Sequence, residues 1–128
     1  MLLLLDTHTF LWWLLGDETL SDTARQAIGD PDNEVFVSAA SAWEIATKHR
    51  IGKLPAAAKI AADVAGAVAS QGFAELAVTI RDGQIAGSLP AIHKDPFDRM
   101  LIAQAVAADL VLVSNEALFN AYGVSRLW

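Results

Sequence analysis

The chain opens Met1-Leu2-Leu3-Leu4-Leu5-Asp6-Thr7-His8, five apolar residues running straight into an acid. A continuous apolar run of this kind marks a strand buried on both faces, and such strands belong to parallel sheets covered by helices. Asp6 then stands at the strand's carboxyl end. Ligands of open α/β sheets bind in the crevice outside those ends, so the acid is either placed for chemistry or caps the helix that follows.

Outward from this strand the chain keeps alternating. His8 to Leu15 reads as a short helix stopped by Gly16. Ser21 caps a second helix through Ile28, before the turn Asp30-Pro31-Asp32-Asn33. Glu34 to Ser38 is a second strand. From Ala39 to about Ile51 the pattern is helical, with Trp43, Ile45 and Ala46 on one side and cations gathered near the end, where the helix dipole favours them. Pro55 opens an alanine-rich stretch that is helical by propensity to Gln71, with Lys59 and Asp63 at a spacing of four.

Phe73 to Thr79 supplies a third strand, a turn or two of helix runs to Ser88, and Leu89 to Lys94 is a loop. Asp95-Pro96-Phe97-Asp98 starts a helix that continues to Ala108, with an acid at the cap and proline at the first helical position. Leu110 to Val113 is a fourth strand, Glu116 to Tyr122 a short helix, and Val124 to Trp128 an edge strand. The expectation is a single α/β domain over residues 1–128, a three-layer sandwich in which helices flank a mainly parallel sheet of about five strands.

Composition narrows the function. The absence of cysteine removes disulfides and thiolate metal sites and fits a reducing compartment. Apolar residues make up 54% of the 128, yet no run approaches the roughly 18 to 20 needed to cross a bilayer. Leu2 to Leu5 is too short for the core of a signal peptide and has no basic segment before it. A cytoplasmic protein with no membrane partner is expected. Its net charge of −6 argues against a general nucleic-acid-binding surface, so any such contact must be local. No glycine-rich phosphate loop follows the first strand, which argues against a dinucleotide-binding fold.

The acids carry the chemistry. If the first and fourth strands are neighbours, Asp6 and the turn Ser114-Asn115-Glu116 emerge at the same edge. Glu44, within two turns of its helix start, leans back towards that edge, and Asp98 lies in the first turn of its own helix. Four carboxylates then converge, and like charges at such range are not all ionised unless a cation joins them. Plainer roles stand beside these: Glu44 as capping-box partner of Ser41, Asp95 as an N-cap with Asp98 in its first turn, Glu116 favouring a helix dipole. Trp12 and Trp13 point about 100° apart on a helix. Either one of them meets a partner or both are taken into the core.

Together, Leu4-Leu5-Asp6-Thr7-His8, the run from Ser38 to Glu44 with Trp43-Glu44-Ile45, the block His93-Lys94-Asp95-Pro96-Phe97-Asp98-Arg99 and Val113-Ser114-Asn115-Glu116 resemble the PIN-domain ribonucleases, specifically the VapC-type toxins of bacterial toxin-antitoxin pairs. The match is in order and spans nearly the whole chain. It implies a PIN-like fold, a homodimer, a small cognate antitoxin, and a structured RNA such as transfer or ribosomal RNA as substrate. The family's metal-binding acids map onto Asp6, Glu44 and Asp98. The fourth falls on Glu116, a departure from the family's usual Asp.

Oxygen ligands without cysteine, with only His8, His49 and His93 scattered along the chain, suit Mg²⁺ or Mn²⁺ better than zinc. On this reading a water activated at the cation attacks the phosphodiester in line. Thr7 and Ser114 are candidate hydrogen-bond partners of the ligand carboxylates, and Asp95 stands beside them. Arg99 is placed to meet a substrate phosphate or an antitoxin carboxylate. Lys48, Arg50, Lys53 and Lys94 are candidates for RNA contact, and Trp12 or Trp13 for the antitoxin. One rival is a PIN-like binding module too degraded to cleave, which the Glu116 departure favours. Another is a receiver- or phosphatase-like α/β domain, which calls for a lysine beyond a late strand where this chain has Ser114 and Trp128.

Overall fold

Leu3, Leu4 and Leu5 are all fully buried, although successive side chains of a strand point to opposite faces. Both faces of β1 (Leu2–Leu5) must therefore be covered. The computed structural model, which describes residues 1–128, covers them with helices on either side of one sheet. Leu3 and Leu5 join Phe10, Val35, Val37 and Ile45 in one core, while Leu4 joins Leu101, Ile102, Leu112 and Phe119 in the other.

The elements follow in the order β1, α1 (Thr7–Leu15), α2 (Asp22–Gly29), β2 (Glu34–Ser38), α3 (Ala39–Arg50), a 3₁₀ turn (Pro55–Ala57), α4 (Ala58–Ala62), α5 (Val64–Ser70), β3 (Ala74–Leu76), α6 (Ile80–Ser88), α7 (Pro96–Ala108), β4 (Val111–Val113), a second 3₁₀ turn (Ala117–Tyr122) and β5 (Arg126–Leu127). The sheet runs β3-β2-β1-β4-β5 and every pairing is parallel. This is the three-layer α/β sandwich expected from the alternation of apolar runs. With β1 in the middle, Leu4 aligns with Phe36 and Leu112, and Leu5 with Val113. That register sets Asp6 beside Ser114. No helix is long and apolar enough to cross a membrane.

The alanine-rich stretch is not the single helix its propensity predicts. It breaks at Asp63, whose carboxylate accepts the Gly66 N–H at 2.9 Å and starts α5 as a new helix. A short acidic side chain that bonds its own backbone competes with helix continuation, and here it prevails over the helix propensity of the flanking alanines. Lys59 therefore does not share a helix with Asp63. The third strand is also shorter than expected, because Thr79 belongs to the next helix: its hydroxyl accepts the Asp82 N–H at 3.1 Å and the Asp82 carboxylate accepts the Thr79 N–H at 3.0 Å. That is a capping box in which Asp takes the place of the usual Glu. In α3, Ile45 is buried as expected, but Trp43 is 64% exposed and stacks edge-on against Phe97 at 4.8 Å.

Truncating the central strand tests this arrangement. Leu4→Ala is expected to lower unfolding free energy by about 3 kcal/mol, the usual loss when a fully buried leucine leaves a cavity. Urea unfolding would record this as a lower midpoint at unchanged slope. A loss below about 1 kcal/mol would contradict two-sided burial of β1.

Candidate active site

Asp6 occupies the N-cap position of α1, yet its side chain makes no capping bond. Its backbone N–H donates to Val113 O at 3.1 Å, continuing the β1–β4 pairing, and its Oδ2 accepts the Ser114 hydroxyl at 2.7 Å. Of its two readings, the geometry takes the one that turns the carboxylate to the sheet edge. Ser114 is itself fixed: its N–H donates to Leu127 O at 3.2 Å, its carbonyl accepts from Arg126 at 2.9 Å, and its Oγ accepts the Glu116 N–H at 3.0 Å.

Glu44 arrives from the neighbouring strand. Ser38, the last residue of β2, caps α3 by accepting the Ala40 N–H at 3.0 Å, so the helix starts directly at the sheet edge. Ser41 is therefore not the cap and Glu44 not its capping-box partner. Ser41 Oγ instead accepts the Thr7 hydroxyl at 2.9 Å, which ties α1 to α3 and takes up the Thr7 side chain. Glu44 is 2% exposed.

Asp98 comes from the opposite layer. Asp95 caps α7, accepting the N–H groups of Phe97 at 2.8 Å and Asp98 at 3.2 Å. Asp6, Glu44, Asp95, Asp98, Glu116 and Lys48 line one cleft of about 270 Å³, completed by His8, Trp12 and Asn115. Glu116 is exposed and uses Oε1 to accept the Leu118 N–H at 3.0 Å, so it caps its own short turn from the cleft wall. A larger cavity of about 430 Å³ beside Trp43, Phe97 and Met100 is lined by apolar groups and contains none of the acids.

Crowding dominates the electrostatics. Burial pushes the Asp98 carboxyl up to about 8, the charges of Asp6, Asp95 and Glu44 push the same way, and Lys48 opposes them. Burial likewise raises Asp6, against the lowering effect of the Ser114 hydrogen bond. For Lys48, burial disfavours the ammonium but is outweighed by the Glu44 hydrogen bond and the charges of Glu44, Asp95 and Asp98, so it holds its proton more tightly.

The donor set fits a hard divalent cation. Glu44 Oε1 is buried with no hydrogen-bond partner, a costly state for a carboxylate oxygen, while Oε2 is taken by Lys48. Apart from the His8 imidazole, the available donors are oxygens, the ligands of Mg²⁺ and Mn²⁺. No three of the acids are gathered into a ready-made cage.

Other expected contacts fall differently. Lys48, expected on the RNA side, is held inside the cleft by Glu44. Arg99 does not reach towards a phosphate or a partner carboxylate, because its guanidinium donates to the carbonyls of Ala86, Leu89, Pro90 and His93. Arg50, Lys53 and Lys94 are exposed and stand outside the cleft lining. Trp12 and Trp13 are both half-buried against the core. Trp12 borders the cleft between His8 and Trp128, while Trp13 donates its indole N–H to Gln71 at 3.0 Å. One neighbour escaped the sequence reading: His93 Nε2 lies 2.9 Å from Asp98 Oδ2. Only the path of the loop before α7 brings it there, and residue spacing does not encode that path.

A sequence profile of the PIN domain matches residues 3–124. No curated protein matches the chain. The fold is similar to that of a chain in the crystal structure of VapBC2 from Rickettsia felis bound to a DNA fragment from their promoter, with a TM-score of 0.71 at 14% identity over 98% of this chain and 97% of that one.

The cleft makes stability depend on pH. Folded Asp98 keeps its proton up to about 8, whereas the unfolded carboxyl releases it near 3.8, so between those values the native state binds the extra proton. Stability must then fall as pH rises through this window. In EDTA, the melting temperature of wild type relative to Asp98→Asn is expected to decline from about pH 5 to about pH 8.5. A difference that grows in favour of wild type over that range would contradict the assignment.

Proposed function

Because the chain belongs to the PIN domain family, we propose that it is a VapC-type toxin, a metal-dependent endoribonuclease restrained by a small cognate antitoxin. The observation that carries this reading is the buried, unpartnered oxygen of Glu44 in a cleft shared with Asp6 and Asp98. Asp6, Glu44 and Asp98 hold Mg²⁺ or Mn²⁺, with Glu116 assisting from the wall. A divalent cation there supplies Lewis acidity, lowering the pKa of water and neutralising the charge that builds on a phosphodiester under attack.

The chain's own groups do the positioning. Ser114 pins one oxygen of Asp6 through its hydroxyl. Lys48 keeps Glu44 turned into the cleft and supplies a fixed positive charge where a phosphate approaches an otherwise acidic surface. Arg50, Lys53 and Lys94, all exposed, provide the local cations that a net charge of −6 requires of an RNA-binding protein. A structured RNA such as transfer or ribosomal RNA is the substrate.

The antitoxin is supported by the structural neighbour, a VapBC2 assembly, and by Trp12, which offers half-exposed aromatic surface beside the cleft, with Trp13 half-exposed on the same helix. A homodimer and a cytoplasmic location complete the reading. The competing binding module rests on Glu116, whose side chain is engaged in capping.

Incubating total cellular RNA with antitoxin-free protein, with Mg²⁺ or Mn²⁺ and with EDTA, separates the two. Discrete metal-dependent fragments are expected from wild type, with a loss of at least about 100-fold in Asp6→Asn, the scale seen when a group that stabilises developing charge is removed. Folded protein that leaves RNA intact under every cation would overturn the nuclease and favour the binding module.

A further inference from the structure

The loop between α6 and α7 contains no helix or strand, yet its backbone is tied down. Arg99 Nη1 donates to Pro90 O and His93 O, each at 3.0 Å, and Nη2 donates to Ala86 O at 2.8 Å and Leu89 O at 2.7 Å. From the other side the Tyr122 hydroxyl donates to Pro90 O at 2.8 Å and accepts the His93 N–H at 2.7 Å. Both backbone groups of His93 are thereby fixed.

Its ring is fixed as well. The imidazole stacks on the fully buried Phe119, with centroids 5.8 Å apart and planes at 30°. Nδ1 accepts the Asp95 N–H at 3.3 Å. A ring nitrogen that accepts from a backbone N–H carries no proton of its own, so in the neutral ring the proton sits on Nε2. Nε2 faces Asp98 Oδ2 at 2.9 Å and has no other partner. Its N–H points off the direct line to that oxygen, a misalignment that is common in unliganded sites and tightens on binding.

We propose that His93 is a positioning residue of the cation site, holding Asp98 Oδ2 against its Nε2–H so that the other carboxylate oxygen is presented to the cleft. This rests on the cation site proposed above. Asp98 stands at the start of a helix, partly exposed, with no other side chain restraining its carboxylate. Asp6 has Ser114 in that role and Glu44 has Lys48. His93 completes the pattern in which every ligand carboxylate is oriented by a neighbour, and the Arg99 and Tyr122 contacts gain a purpose through it.

The test is Mn²⁺ binding by calorimetry to the full antitoxin-free chain as wild type, His93→Phe and His93→Gln, with metal-free melting temperatures alongside. Phenylalanine keeps the ring against Phe119 and removes the donor, whereas glutamine restores an N–H at similar reach. Affinity is expected to fall 10- to 100-fold or so in His93→Phe and to recover most of that in His93→Gln, the scale of losing an outer partner of a metal ligand. Wild-type affinity in His93→Phe, or equal weakness in both variants at matching melting temperatures, overturns the inference alone. Wild type that binds no Mn²⁺ overturns the cation site and this role with it.

If His93→Phe does not fold, the ring nitrogens of histidine-labelled wild type decide. A proton on Nε2, with that nitrogen's resonance moving as Mg²⁺ is added, is the expected signature. A proton on Nδ1, or no response, overturns the role.

Discussion

The structure turns on the burial of two carboxylates at the carboxyl edge of the sheet, Asp6 after the central strand and Glu44 on the helix that follows its neighbour. Asp6 is 6% exposed and Glu44 2%, and Glu44 Oε1 is left without a hydrogen-bond partner. Placing such groups in a small domain is costly unless something compensates their charge. A parallel sheet makes the burial unavoidable once the sequence puts acids there, because every strand's carboxyl end opens on the same edge. Leu5 aligned with Val113 brings Asp6 to Ser114, and β2 passing straight into α3 brings Glu44 to the same place.

Much of the remaining polar chemistry serves that edge. Asp95 caps α7 and so fixes where its first turn begins, which sets the position of Asp98. Thr7 and Ser41 join the two helices that leave the sheet beside the acids. Arg99, the residue after Asp98, gathers four loop carbonyls, a use of guanidinium that keeps the approach to the cleft rigid without adding charge to its wall. Lys48 is the only cation lining the cleft, and it is outnumbered by the acids around it. The deficit of positive charge is what a divalent cation would fill.

The parts of this architecture legible in the sequence were those decided locally. The apolar runs Leu2 to Leu5, Val35 to Val37 and Leu110 to Val113 mark doubly covered strands, and acids one step beyond such runs, or in the first turn of a capped helix, have few places to go. Ser21 and Asp95 announce their helices by residue type alone. Asp63 and Thr79 carry the same kind of signal, but alanine propensity and an apolar run masked it. Lys48, Arg99, His93 and Trp43 were out of reach for another reason. Their roles depend on which loop or helix lies opposite, and a long side chain at a fixed position can serve either solvent or a neighbour.

Whether Asp6, Glu44 and Asp98 form one divalent-cation site is decided by anomalous diffraction from crystals of the purified protein grown with Mn²⁺. A manganese peak bounded by oxygens of all three residues is the predicted result, with Glu44 contributing Oε1 and keeping Oε2 on Lys48. Well-ordered crystals with no peak in the cleft, or with manganese bound only elsewhere on the acidic surface, would contradict it.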